Sequence, residues 1–133
     1  MRFRVSLFEK YPGVHIGVLV GRGIRNPPVD PRIEEAKREA VNTLRDNVGD
    51  GPVSRHSHIG SWRDMYRSFG TKAGDYRPSA EALARRALKE GALPRINAAV
   101  DAYNAVSVRH LVPMGGFDLN RVKGYIQLRH SGG

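Results

Sequence analysis

Apolar and polar residues alternate near both ends of the chain, and between them apolar residues recur at helical spacing. In "RFRVSLF", Phe3, Val5 and Leu7 share one face, which is the period of a strand. Tyr11-Pro12-Gly13 is a turn, and "VHIGVLVGRGI" then alternates Val14, Ile16, Val18 and Val20, so a hairpin or paired strands are expected at the N-terminus. "GRGIRNPP" stops the alternation. Asp30 and Pro31 then begin a helix in the favoured way, with an acidic cap and proline in the first turn. Its stripe of Ile33, Ala36, Ala40, Val41 and Leu44 runs until "NVGDGP" breaks it.

After the loop "GDGPVSRHSH", Trp62, Met65, Tyr66 and Phe69 recur three, four and seven apart, which predicts a short helix with an aromatic face. "TKAGDYRP" is a loop. Ser79 is expected to cap the helix "AEALARRALKEG", with Leu83, Ala87 and Leu88 facing inward. Within it Glu81 and Arg85 lie four apart, in the order that favours an ion pair. Pro94 opens a further helix, "RINAAVDAYNAVS", with Ile96, Val100 and Tyr103 on one stripe. In "RVKGYIQLR", Val122, Gly124, Ile126 and Leu128 alternate as a last strand. Terminal strands with helices between them predict an α+β domain. A chain of 133 residues is long enough for one core and too short for two.

Composition narrows the function. Without cysteine the chain has no disulfide, thiolate nucleophile or cysteine-based zinc site, which agrees with a reducing compartment. "MRFRVSLFEKYPG" meets charge too early for a signal peptide, and no apolar stretch nears the roughly 20 residues of a membrane helix. A soluble, cytoplasmic protein with no membrane partner is expected. Basic residues number 22 against 13 acidic, a formal net charge of +9, and 17 of the 22 are Arg. From residue 55 onward 13 basic residues stand against six acidic ones. Guanidinium groups grip phosphate in a planar, two-pronged way, so a polyanion, most simply RNA or DNA, is the expected partner. A GC-rich genome, which inflates Arg and Ala together, is the competing account.

"GRGIRN" has the outline of a dinucleotide-binding loop. Asn26 stands at the third glycine, however, and Pro27-Pro28 blocks the helix whose N-terminus would hold a pyrophosphate. Turn chemistry is the better reading. His56 and His58 have a spacing that suits a metal, but no third ligand is near, and a solvated loop without metal is expected. His110, beside Arg109, suits a helix C-terminus. The stripe of Trp62, Met65, Tyr66 and Phe69 has the chemistry to stack bases, but core packing is the stronger expectation. Arg77, Arg85, Arg86 and Arg95, with Arg63 and Arg67, flank the apolar stripes and are the candidates for phosphate contact, though each also suits a solvated face.

"WRDMYRSFG" (62–70), "RPSAEALARR" (77–86), "LPRINAAVDAYNAVS" (93–107), "PMGGFD" (113–118) and "GYIQLR" (124–129) occur in order. Together they resemble the B3/B4 editing domain of the phenylalanyl-tRNA synthetase beta subunit and its free-standing relatives. The similarity runs from about Trp62 to Arg129 and is weaker in the N-terminal strands. It implies an α+β, three-layer domain that contains a β-sandwich and carries its helices between N-terminal and C-terminal strands. It implies tRNA or aminoacyl-tRNA as partner and no cofactor. Hydrolysis of mischarged aminoacyl-tRNA is the activity of the editing members. The alternative is a non-catalytic RNA-binding or assembly protein that retains the fold, and a third reading is a pocket for a free amino acid. Gly115 stands where bacterial synthetases have a histidine after the Pro-Met pair, as in archaeal-type members. Members continue past the position of "LRHSGG", so residues 1–133 are expected to be one B3/B4-like domain lacking its C-terminal part, or half of a site completed by a second protein chain.

On this resemblance Asn104, Ser107, Met114, Gly115, Gly116 and Asp118 form one wall of a pocket for the aminoacyl end. Glycines let backbone N–H groups approach a ligand, and such donors orient an ester carbonyl without a catalytic side chain. Without the resemblance the same residues are a helix-to-strand turn that needs positive φ, with Asp118 holding local amides. No catalytic residue is assigned.

Overall fold

In the computed structural model, which describes residues 2–7, 9–72 and 74–129, the elements run in this order: β1 (Arg2–Val5), α1 (Pro31–Val48), a 3-10 turn (Val53–Arg55), α2 (Ser57–Ser68), α3 (Ser79–Glu90), α4 (Ala98–His110) and β2 (Tyr125–Leu128). Phe8, the end of the expected first strand, lies outside the described residues, as do Ala73 in a loop and the terminal "HSGG". The chain is α+β. A β-sandwich needs two sheets, and the described residues form one sheet of two strands. No described helix is long and apolar enough to cross a membrane.

The chain divides into two compact units, and each is built differently. Met1–Ile24 with Gly116–Gly133 holds the sheet. There β1 pairs with β2 in parallel, in the register Phe3 to Ile126 and Val5 to Leu128. This corrects the expected N-terminal hairpin. Parallel strands need a long crossover, and the chain between these two contains all four helices. Val14–Val20 has the strand period but joins no ladder among the described residues, and Val18, Leu19 and Val20 are exposed.

Arg25–Gly115 holds the helices. Helix α1 starts as the sequence predicts, with the Asp30 carboxylate accepting from the Arg32 amide at 2.9 Å and proline in the first turn. Ala40, Val41 and Leu44 are buried as expected, but Ala36 is exposed and Lys37 is buried in its place. Helix α3 buries the small residues Ala80, Ala84 and Ala87, which lets it approach its neighbours closely. Leu83 and Leu88 are only partly buried against this core. Pro78, not Ser79, occupies the cap position of α3, and no side chain caps it.

The aromatic stripe of α2 is a second correction. Ile59 is its fully buried residue, whereas Trp62, Met65 and Tyr66 are half-buried and Phe69 is 40% exposed. The helix packs on the 3-10 turn that precedes it, and Tyr66 and Phe69 meet at 6.2 Å between ring centroids. A third correction concerns α4, which begins after Pro94. Asn97 caps it, accepting from the Val100 amide at 3.0 Å, and Ile96 lies outside the helix and exposed. Its inward face is Ala98, Asp101, Ala105, Ser107 and Val108. Leu111 ends it in the left-handed conformation, φ 52° and ψ 45°, with its side chain buried and its N–H donating to the Ser107 carbonyl.

Leu44 is fully buried in this core. Leu44→Ala is expected to cost about 2–5 kcal/mol by chemical denaturation, and Trp62→Ala less, because the indole stays partly in solvent.

Candidate functional site

A cavity of about 310 Å³ opens between α3 and α4. Ser79, Ala82, Leu83 and Arg86 line it from α3, Asn104 and Ser107 from α4, and Met114 from the loop that follows. The α3 residues share one face because they lie three, four and seven positions apart. The Ser107 hydroxyl donates to the Val112 carbonyl at 2.7 Å, and the Val112 amide donates to the Ser107 carbonyl at 3.2 Å. This double tie fixes the start of the loop that delivers Met114. The half-buried Asn104 amide has no hydrogen-bond partner in the described structure. The lining thus combines apolar wall, hydroxyl and amide, with one guanidinium.

Three of the expected wall residues, Asn104, Ser107 and Met114, are brought together here, and three are not. Gly115 and Gly116 do not line the cavity, and neither adopts positive φ. The left-handed turn falls instead on Leu111, where α4 ends. The Asp118 carboxylate accepts from the Asn120 amide at 3.0 Å, the local role that its place after the turn predicts.

The four candidate phosphate ligands differ in their engagement. Arg77 is exposed and pairs with no carboxylate among the described residues. Arg85 donates to Glu81 at 2.9 Å, the expected pair, and Arg86 donates to Glu90 at 3.0 Å. Arg95 reaches across to Glu34 on α1 at 2.7 Å. Glu34 also accepts from Lys37 at 2.8 Å, and Lys37 donates to the buried Asp101 of α4 at 3.1 Å. The second oxygen of Asp101 accepts from the Ile96 amide at 2.9 Å.

His56 and His58 belong to the start of α2 and not to a loop. His56 Nδ1 accepts from the His58 amide at 3.3 Å, while His58 Nδ1 donates to the His110 carbonyl at 2.9 Å. Among the described residues no three metal-ligating side chains converge. Asn26, whose neighbours suggested only a turn, accepts from the Ala99 amide at 2.9 Å, and the Pro27 carbonyl accepts from the Ala98 amide at 3.0 Å. The "RNPP" segment therefore caps α4 from a distance. Sequence reading missed the buried charges Lys37, Glu81 and Asp101. Their one available signal was position, since Lys37 and Asp101 interrupt otherwise apolar stripes.

Residues 61–133, over half of the chain, match the B3/4 domain family. Neither the curated proteins nor the solved structures give a significant match.

The Arg95 guanidinium, and then the Lys37 ammonium, hold the Glu34 carboxyl down to about 2 from its ordinary 4.5. A depressed carboxylate stabilises the fold fully above its unfolded pKa and loses that contribution as pH falls through its folded one. Stability linked to Glu34 is therefore expected to decline between pH 4.5 and about 2. Arg95→Gln should flatten that decline. Denaturant midpoints across the window check it, and an unchanged acid limb would show that Arg95 is not held by Glu34 in solution.

Proposed function

Because the chain belongs to the B3/4 domain family, that of the B3/B4 domain of the phenylalanyl-tRNA synthetase beta subunit, we propose that it is a tRNA-directed module whose α3–α4 cavity receives the aminoacyl end of a tRNA. One observation carries the reading. Every residue that lines the cavity, from Ser79 to Met114, falls inside the matched stretch 61–133. At about 310 Å³ the cavity is at the lower end of small-ligand sites, about 300–1,000 Å³. Ala82, Leu83 and Met114 suit the apolar part of an amino-acid side chain. The Asn104 amide and the Ser107 oxygen suit an ester carbonyl or a ribose hydroxyl. Arg86, whose Nε is engaged by Glu90, keeps its Nη groups for a terminal phosphate.

Hydrolysis of the ester would add water to the carbonyl and release the ribose oxygen with a proton. A positioned base must take the proton of the attacking water. The cavity lining contains no carboxylate and no histidine, and the Asp118 carboxylate holds the Asn120 amide. These features favour binding over turnover, so the alternative of a non-catalytic RNA-binding protein is the better account of the 133-residue chain by itself. A mischarged tRNA mixed with the chain is expected to bind and to lose its ester at close to the spontaneous rate. Asn104→Ala should weaken binding by about 3–10-fold, the worth of one neutral hydrogen bond. Rapid ester loss that vanishes in Asn104→Ala would instead identify a complete deacylase.

A further inference from the structure

Arg63 of α2 and Arg85 of α3 converge on one oxygen. Arg63 Nη1 and Arg85 Nε each donate to Glu81 Oε1 at 2.9 Å. Glu81 is fully buried, and its second oxygen, Oε2, is buried and accepts no hydrogen bond among the described residues. Burying a carboxylate is costly, and an unsatisfied buried acceptor adds to the cost, so this arrangement is a poor device for stability alone. It is a good device for orientation. Two guanidinium groups are drawn from different helices and held within hydrogen-bond reach of the same atom.

Among the arginines that form ion pairs, the charge balance singles this pair out. Arg67 faces Asp64 and Arg86 faces Glu90 one to one, and Arg95 and Lys37 are matched by the two carboxylates of Glu34 and Asp101. At Glu81 two arginines share one carboxylate, which leaves one positive charge over. Among the described residues neither guanidinium donates to another acceptor. Their side chains remain 23% and 42% exposed, so their other N–H groups stand at the surface. Two like charges held together favour an anion between or above them. We infer that Arg63 and Arg85, fixed by the buried Glu81 carboxylate, form a phosphate-binding pair that takes the backbone of RNA. The choice of RNA rests on the tRNA-directed reading; the anion site itself does not.

Labelled bulk tRNA and the folded chain test this by fluorescence anisotropy across a salt series. Arg63→Gln and Arg85→Gln are each expected to lower affinity about 10-fold, the worth of one charge-assisted hydrogen bond, and to reduce the salt slope by about 1. Arg38→Gln removes the same charge from an exposed pair with Glu35 on α1 and should change affinity far less. Glu81→Leu gives the sharpest contrast. It raises the net charge by one, so a bulk-charge account expects tighter binding, whereas a positioning role for Glu81 expects weaker binding. Glu81→Gln restores an acceptor oxygen and should recover most of the loss.

Inorganic pyrophosphate, followed through the Nε–H signals of Arg63 and Arg85 by NMR, tests the site without any tRNA. Shifts of both signals together with the affinity losses support the proposal. Shifts without tRNA binding by the wild type would sink the tRNA reading and leave the anion site standing. Full tRNA affinity in the two Gln variants, with neither signal moved by pyrophosphate, overturns the proposal even if Glu81→Leu fails to fold. A response to oligoglutamate and none to pyrophosphate overturns it in favour of an acidic protein partner.

Discussion

Asp101 is the residue on which the helical unit turns. Its carboxylate is buried and engages Lys37 of α1 with one oxygen and the Ile96 amide with the other. A buried charge that loses its partner costs about 3–5 kcal/mol, so α4 has little freedom to rotate about its axis or slide along α1. Asn104 and Ser107, about one and two turns further on, are thereby turned toward α3 and into the cavity. Small residues on α3 complete the constraint, because Ala80, Ala84 and Ala87 bring its backbone close to the core. The wall of the cavity is set by an ion pair outside it and by side chains that never touch a ligand.

The basic excess reads differently once folded. Arg32, Arg38, Arg67, Arg86 and Arg95 each lie beside an acidic side chain. The formal +9 already subtracts every carboxylate, so these pairs leave the net charge unchanged and shift the field presented to a polyanion toward the basic groups that lack one. Of the arginines that flank the apolar stripes, Arg77 lies beside no carboxylate among the described residues, and Arg63 and Arg85 share one. All three lie within the stretch that matches the family.

Local chemistry was legible in the sequence wherever it was complete in a few residues. Asp30-Pro31 as a helix start, Glu81 with Arg85 as a pair and Asp118 as an amide acceptor each need no distant partner. Long-range features were not legible. Val14–Val20 has strand period, but a strand exists only through its neighbour, and period alone names none. Trp62 and Phe69 recur at helical spacing, yet spacing shows which residues share a face and not whether anything covers it. The burial of Lys37, Glu81 and Asp101 was not legible either, because charge is mostly exposed and the exceptions become visible only when the partner does. Asn26 shows the same limit, since its acceptor oxygen caps a helix 73 residues away. The cavity was half legible: Asn104, Ser107 and Met114 line it, while the glycines that follow do not.

Leu111 ends α4 in a conformation that leucine seldom adopts, and the same residue fills the core. Glycine there would relax the backbone and empty the core; another helical residue would carry the chain past its stop. Helix ends ordinarily fray independently of the body they belong to. Here the last turn cannot unwind without drawing a buried leucine into water, so loosening at Ser107 and loosening of the core are one event. The α4 side of the cavity is thus tied to the core, although Met114 comes from the loop beyond it.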